Sequence, residues 1–215
     1  MNVLLIGANG QIGKHIIQLA KDEADISLTA MVRKEEQLDE LTANGTDAVL
    51  ANLEGSVADL EKAIDGADTV IFTAGSGGHT GADKTILVDL DGAVKAVEAA
   101  ENAGVERFIM VSAFQAQNRE VWAESPIKHY MAAKHYADRF LLDSKLKHTI
   151  IRPGRLENEA GTGKIQAGDL KEYGAIARED VAKTVIASLK NKNTENTSFD
   201  IISGEQSIED AIKNL

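Results

Sequence analysis

The chain opens on a short apolar run, Val3-Leu4-Leu5-Ile6, that stops at Gly7-Ala8-Asn9-Gly10-Gln11-Ile12-Gly13. An apolar run of this length, cut off by glycine, reads as a buried strand of a parallel sheet. Glycines at 7, 10 and 13 suit a tight turn, a close approach of backbone to a ligand, and close packing of the next helix on the strand. The unpaired N–H groups at that helix's N-terminus then form an anion site above the turn. The spacing is three and three, and no Gly-Lys-Ser/Thr follows, which excludes a P-loop. Taken alone, the glycines leave a phosphate site and a plain strand–helix turn both open.

The rest of the chain behaves as a sheet built around this strand. Lys14 to Lys21 reads as a helix with Ile16, Ile17 and Leu19 on its apolar side, and Ile26 to Val32 as a second strand. A short helix carries Gln37, Leu38 and Leu41; Ala48 to Leu50 is a third strand, Val57 to Ile64 a helix, and Thr69 to Thr73 a fourth strand running into Ala74-Gly75-Ser76-Gly77-Gly78. Asp83 is read as the cap of a helix whose inward positions are Ile86, Leu90, Val94 and Val97, with Gly92 inside it marking a close contact. Arg107 to Val111 and His148 to Ile151 are the fifth and sixth strands, and Ser125-Pro126 reads as a helix start. Arg155 to Ala177 is poor in pattern and reads as a small irregular lobe over the sheet edge. A helix opening at Glu179 or Asp180, a strand at Thr197 to Ile202 and a helix capped by Ser207 complete the chain. This alternation is that of a doubly wound α/β fold with a parallel sheet. At 215 residues it is expected to form one domain, 1–215, with residues 155–177 as a substrate-side insertion.

Composition narrows the function. The absence of cysteine excludes disulfides and thiol nucleophiles and fits a cytoplasmic protein. Residues 1–13 lack the basic start and small-residue cleavage site of a signal peptide, and no apolar stretch reaches spanning length, so no membrane partner is expected. A formal net charge of -11 argues against nucleic-acid binding but leaves an anionic cofactor open, because that needs only local donors. The histidines 15, 129, 135 and 148 are not spaced as ligands, and no metal is expected.

Two constellations carry chemistry. Where NAD-binding folds place a carboxylate at the end of the second strand, this chain has Arg33-Lys34. A guanidinium can grip a phosphate with two parallel hydrogen bonds, which points to the 2'-phosphorylated cofactor, NADP; a solvated charge pair at a strand end is the other reading. Tyr130 and Lys134 stand four apart on a helix and share a face. An ammonium beside a phenol is expected to lower the phenol's pKa so that it passes a proton at neutral pH; surface decoration is the alternative. His79 is read as a helper in substrate binding or plain loop polarity, and Asp89 as reaching the cofactor side of its helix.

On these residues the chain resembles an atypical or extended short-chain dehydrogenase/reductase, in particular the small bacterial NAD(P)H-binding proteins often labelled sugar epimerases or reductases. The resemblance implies a Rossmann-type fold and spans nearly the whole chain. It assigns Gly7, Gly10 and Gly13 to the Gly-x-x-Gly-x-x-Gly motif, with Asn9, Gln11 and Ile12 between them in the cofactor-binding turn. Arg33 goes with NADP, Asn52 and Leu53 lie by the adenine, Ala74 and Gly75 form the loop after the fourth strand, and Pro153 flanks the nicotinamide. Tyr130 then acts as acid/base, and Lys134 tunes it and binds the ribose. The family's serine position falls by register on Ala113, with Ser112 one place earlier, and a shift of one residue can turn a hydroxyl away. The segment between Pro153 and Glu179 is short for a nucleotide-sugar lobe, which favours a small carbonyl or alcohol substrate. An NADP-holding sensor, a sugar epimerase and a flavin or quinone reductase stand as alternatives. Monomer and homodimer are both open.

Overall fold

In the computed structural model, which describes residues 1–78 and 80–215, the opening run is strand β1 (Asn2–Ile6) near the middle of the main sheet. His79, the loop histidine considered above, lies outside the described residues. After β1 come α1 (Gln11–Ala20), β2 (Ser27–Val32), α2 (Glu35–Ala43), β3 (Asp47–Leu50), α3 (Val57–Ile64) and β4 (Thr69–Phe72). A short α4 (Ala82–Lys84) runs through a π-helical turn (Thr85–Leu90) into α5 (Asp91–Asn102). Then follow β5 (Arg107–Val111), α6 (Arg119–Trp122), α7 (Lys128–Asp143), β6 (Lys147–Pro153), β7 (Arg155–Glu157), β8 (Lys164–Gly168) and β9 (Ala175–Ala177). The chain closes with α8 (Arg178–Lys190), β10 (Thr197–Ser203), β11 (Gln206–Ser207) and α9 (Ile208–Lys213).

The main sheet has the order β11-β8-β10-β6-β5-β4-β1-β2-β3, parallel from β10 to β3. Alternation along the strands sends side chains to two cores. Leu4, Ile6, Val70, Phe72, Phe108 and Met110 pack with α3, α5 and α7, whereas Val3, Leu5, Ile71, Ile109 and Val111 pack with α1 and α8. Burial on both faces is why the strands read as apolar runs rather than as alternating ones. The strand order reverses between β1 and β4, which opens a crevice at their C-terminal ends. No described helix is long and apolar enough to cross a membrane.

Four local features differ from the sequence expectation. The segment 155–177 is more ordered than its pattern suggests: β7 and β9 pair with each other, and β8 joins the main sheet antiparallel to both β10 and β11. Ser125-Pro126 does not open the helix. These residues form a preceding turn in which Ser125 Oγ accepts the Ile127 N–H, and α7 begins at Lys128. The cap expected at Asp83 is Gly81, and Asp83 sits in the first turn. The π turn also changes which residues face inward, because its wider i→i+5 bonding rotates the helix face relative to a regular α-helix. Thr85 and Asp89 are buried, whereas Ile86, expected on the apolar side, is 56 % exposed. Gly92 does mark a close contact, since a Cβ there would lie 3.1 Å from Leu53 Cβ.

Candidate functional site

The glycine turn is shaped by contact rather than by flexibility alone. Gly7 adopts φ +96°, and a Cβ on it would stand 2.5 Å from the Ala74 nitrogen and 2.7 Å from the Thr73 carbonyl carbon. A Cβ on Gly13 would run into the Gly7 carbonyl oxygen and lie 2.8 Å from Ala8 Cα. Gly7 therefore lets β1 and β4 close side by side, and Gly13 lets α1 settle on the turn. Gly10 is less crowded, with a Cβ falling 3.2 Å from the Gly7 oxygen; it is the N-cap of α1. No side chain caps this helix and no acidic residue occupies its first turn, so its N-terminal dipole faces the crevice uncompensated.

Over the turn lies a cleft of about 540 Å³. Of the residues singled out from sequence, Gly7, Asn9, Gly10, Arg33, Asn52, Leu53, Ala74 and Gly75 line it. Gln11, Ile12 and Gly13 stand behind its wall, and the Ile12 side chain is part of the core, so only its backbone is available to a ligand. Lys134 and Pro153 lie outside this cleft, further along the sheet edge. Arg33 is exposed at the rim and makes no ion pair among the described residues.

Beyond β4, the ends of β5 and β6 carry the second group of residues. Ser112 continues the β5–β6 ladder by donating its N–H to the Ile151 oxygen at 2.7 Å. Strand alternation therefore extends to it, and residue 112 falls on the face of Phe108 and Met110, the face covered by α7. Its hydroxyl is buried with no hydrogen-bond partner among the described residues. Ala113, the position indicated by the family register, packs instead with Ala116, Trp122 and Met131. On α7, Lys134 is fully enclosed, its Nζ donating to the Val111 oxygen at 2.9 Å and lying 6.0 Å from the centre of the Phe72 ring. Burial lowers the Lys134 pKa, against the opposing pull of Asp89 and Asp138.

One expectation is corrected here. Lys134 does not lower the pKa of Tyr130. The Tyr130 phenol is pushed well above its ordinary value, by burial first and then by the negative charges of Asp89 and Asp138 and by Tyr173. The Lys134 ammonium is held on the Val111 carbonyl, and Asp89 and Asp138 act on it as well as on the phenol. Tyr130 is accordingly a neutral hydroxyl throughout the physiological range.

A family described as NAD(P)H-binding matches residues 7–192 of the chain. The chain belongs to this NAD(P)H-binding family. The uncharacterized sugar epimerase YhfK of Bacillus subtilis is 60 % identical over 215 residues and covers 100 % of both chains. Among solved structures, a Bacillus halodurans protein assigned by name to the NAD-dependent epimerases/dehydratases superposes with a TM-score of 0.92 at 40 % identity, covering 100 % of each chain. The oxidoreductase ylbE of Lactococcus lactis does so with a TM-score of 0.89 at 30 % identity, covering 100 % of this chain and 96 % of its own.

The cleft fits the cofactor that gives the NAD(P)H-binding family its description. It joins the backbone turn that Gly7 seats against β4 to the α1 N-terminus and to Arg33, which has no ion pair among the described residues. Sequence reasoning missed three residues around it. Gln37, in the first turn of α2, lines the cleft with a buried side-chain oxygen that has no partner among the described residues. Lys84 and Glu54 meet at 2.7 Å across its mouth. Asp89, placed only loosely from sequence, accepts the Ser76 N–H at 3.0 Å and so ties the cofactor loop to the helix carrying the π turn. Gln37 lies in the first turn of α2, just after the end of β2, a place that could have suggested it; the others depend on long-range contacts. Among the described residues no three His, Cys, Asp or Glu side chains are grouped as a metal site.

The Gly7 contact yields a direct prediction. Gly7→Ala places a methyl against the β4 backbone in a left-handed conformation, a strain of about 1–3 kcal/mol before any clash. Thermal unfolding is expected to fall by several degrees and NAD(P)H titration to show at least roughly tenfold weaker binding. Unchanged melting and unchanged binding together would show that β4 does not constrain the turn.

Proposed function

We propose that this chain is an NADP(H)-dependent reductase acting on a small carbonyl compound. The observation that supports this reading is the buried Ser112 hydroxyl, without a hydrogen-bond partner among the described residues, on the sheet face covered by the helix that carries Tyr130 and Lys134. When bound, the reduced nicotinamide supplies the hydride. Arg33 would hold the 2'-phosphate, the α1 N-terminus the diphosphate, Asn52 and Leu53 the adenine edge, and Pro153 the nicotinamide side. The Ser112 hydroxyl would donate to the substrate carbonyl oxygen, and Tyr130 would deliver the proton to it. A phenol held neutral is suited to giving a proton, which favours reduction over alcohol oxidation. Lys134, anchored on Val111, keeps the end of β5 and the α7 face in register. The whole of 1–215 is read as one domain, with residues 155–177 on the substrate side, and the chain as a monomer or homodimer.

Fluorescence titration with NADPH and NADH tests the cofactor half of the reading. The wild type is expected to prefer NADPH, and Arg33→Asp to weaken NADPH binding roughly 10- to 100-fold, the worth of a charge-assisted hydrogen bond, while leaving NADH within about threefold. Equal affinity of the wild type for both cofactors would overturn the role of Arg33. The chemical half is read by NADPH consumption over a panel of aldehydes, ketones and quinones. Binding without consumption across that panel would favour the sensor reading, and conversion without net consumption the epimerase reading.

A further inference from the structure

Tyr173 is the most exposed large apolar side chain among the described residues, at 67 %, yet it is held from several directions. Its neighbour Gly174 accepts the Arg155 N–H through its carbonyl oxygen at 2.9 Å. A Cβ on Gly174 would lie 3.0 Å from the end of Ile202, and one on Gly154 would strike the Gly174 oxygen, so the two glycines fix backbone against backbone. At the other end of the segment, Gln115 Nε2 donates to the Leu170 oxygen. Gln115 is itself buried in a left-handed conformation, φ +55°, with its N–H on Asp200 Oδ1 at 2.9 Å. The Tyr173 ring meets buried Phe114 edge to face, with centroids 5.4 Å apart at 77°.

Phe114 links that ring to the proposed reaction centre. It follows Ser112 by two residues, and its N–H donates to the Pro153 oxygen at 3.0 Å. Tyr173 is also close enough for its phenol to raise that of Tyr130. The chain thus fixes an aromatic ring beside Ser112, Pro153 and Tyr130 while leaving most of it in water. An aromatic ring is worth burying, and a chain with three tyrosines and five phenylalanines has few to spare. A ring set on a backbone pinned at Leu170 and Gly174, touching Phe114 and otherwise uncovered, has an open face for a ligand.

We infer that Tyr173, backed by Phe114, is the specificity wall of the substrate site, and that the substrate is a flat, conjugated carbonyl compound that lies against the ring while its oxygen reaches Tyr130. This inference rests on the reductase reading above and narrows it from small carbonyl compounds in general to planar ones. A puckered aliphatic ketone presents no flat face to the ring and forgoes the aromatic contact.

Equilibrium binding tests it without turnover. Menadione (2-methyl-1,4-naphthoquinone) and 2-decalone, a bicyclic ketone of similar size with puckered rings, are titrated into the protein alone and with saturating NADP⁺. The wild type is expected to bind menadione at least about fivefold more tightly than the decalone. Tyr173→Ala is expected to weaken menadione binding roughly 3- to 10-fold, Tyr173→Phe to hold it within about twofold, and both to leave NADP⁺ affinity unchanged. Menadione affinity unchanged in Tyr173→Ala, no detectable menadione binding, or equal binding of the two probes by the wild type would each overturn the inference. Failure of the reductase reading would appear separately, as absent NADP⁺ binding in the wild type or as binding without NADPH consumption across the carbonyl panel; the arm without cofactor still reads the effect of Tyr173.

Discussion

Tyr130→Phe is expected to lower the rate of carbonyl reduction roughly 100- to 10,000-fold, the range that a positioned proton donor contributes. NADPH affinity should stay within about twofold, because the substitution removes a hydroxyl and leaves the ring packed against Ala113, Ala116, Trp122 and Met131. The pH profile adds a test of the environment. Burial, Asp89 and Asp138 favour the neutral phenol, so the group remains a competent acid at pH values where a free tyrosine has begun to ionise. The reductive kcat/KM should therefore show no fall assignable to Tyr130 below about pH 10. A fall centred near neutrality that disappears in Tyr130→Phe would restore the lysine-depressed phenol expected from sequence. Full activity of Tyr130→Phe would remove Tyr130 from the chemistry altogether.

The second large effect is on stability. Arg152, at the end of β6, donates through Nε to Asp138 Oδ2 at 2.8 Å, and both side chains are almost completely buried. Replacing such a pair by matched apolar groups is often tolerated, but removing one partner leaves a charge in a low-dielectric interior at a cost of about 3–5 kcal/mol. Asp138→Ala is expected to lower the melting temperature by about 6–20 °C for a chain of this size. The double variant Asp138→Leu/Arg152→Met should recover most of that loss, because it leaves neither charge stranded. A melting temperature for Asp138→Ala within about 2 °C of wild type would show that Asp200, the next carboxylate to act on Arg152, is a sufficient partner alone.

Asp138 also bears on the site. With Asp89 it brackets Lys134 from two helices, and both carboxylates raise the Tyr130 phenol. The interior below the proposed reaction centre is thus a string of alternating charges, from Asp89 through Lys134 and Asp138 to Arg152 and Asp200. Lys134 and Asp138 on α7 belong to that string, so structural and chemical effects of substitutions along it are expected to be coupled rather than additive.

Much of this molecule was legible from local pattern. Val3–Ile6 followed by three glycines announces a buried strand and a tight turn because both are short-range matters: apolar character decides burial, and the missing Cβ decides the turn. Arg33 is placed by counting to the end of β2, and Tyr130 with Lys134 by the helical repeat, since these depend on the period of one element. The choice between residues 112 and 113 was open from sequence, because it turns on how far the β5–β6 ladder runs; the Ser112 bond to Ile151 carries it one residue past the strand and puts residue 112 on the α7 side.

What only the tertiary structure decided involves partners distant along the chain. The antiparallel seat of β8 between β10 and β11 follows from its pairing with residues about 32 to 43 positions later, which no short window of sequence contains. The π turn exchanges Ile86 for Asp89 at the buried face, and Asp89 then meets both the Ser76 backbone and the field of Tyr130. The sign of the Tyr130 shift went the other way from the four-residue spacing for the same reason. Spacing determines that a tyrosine and a lysine share a helix face. How deeply that face is buried, and which carbonyl and carboxylates reach the lysine first, is settled by the strands and helices packed against it, and in a poorly screened interior those neighbours set the proton's affinity.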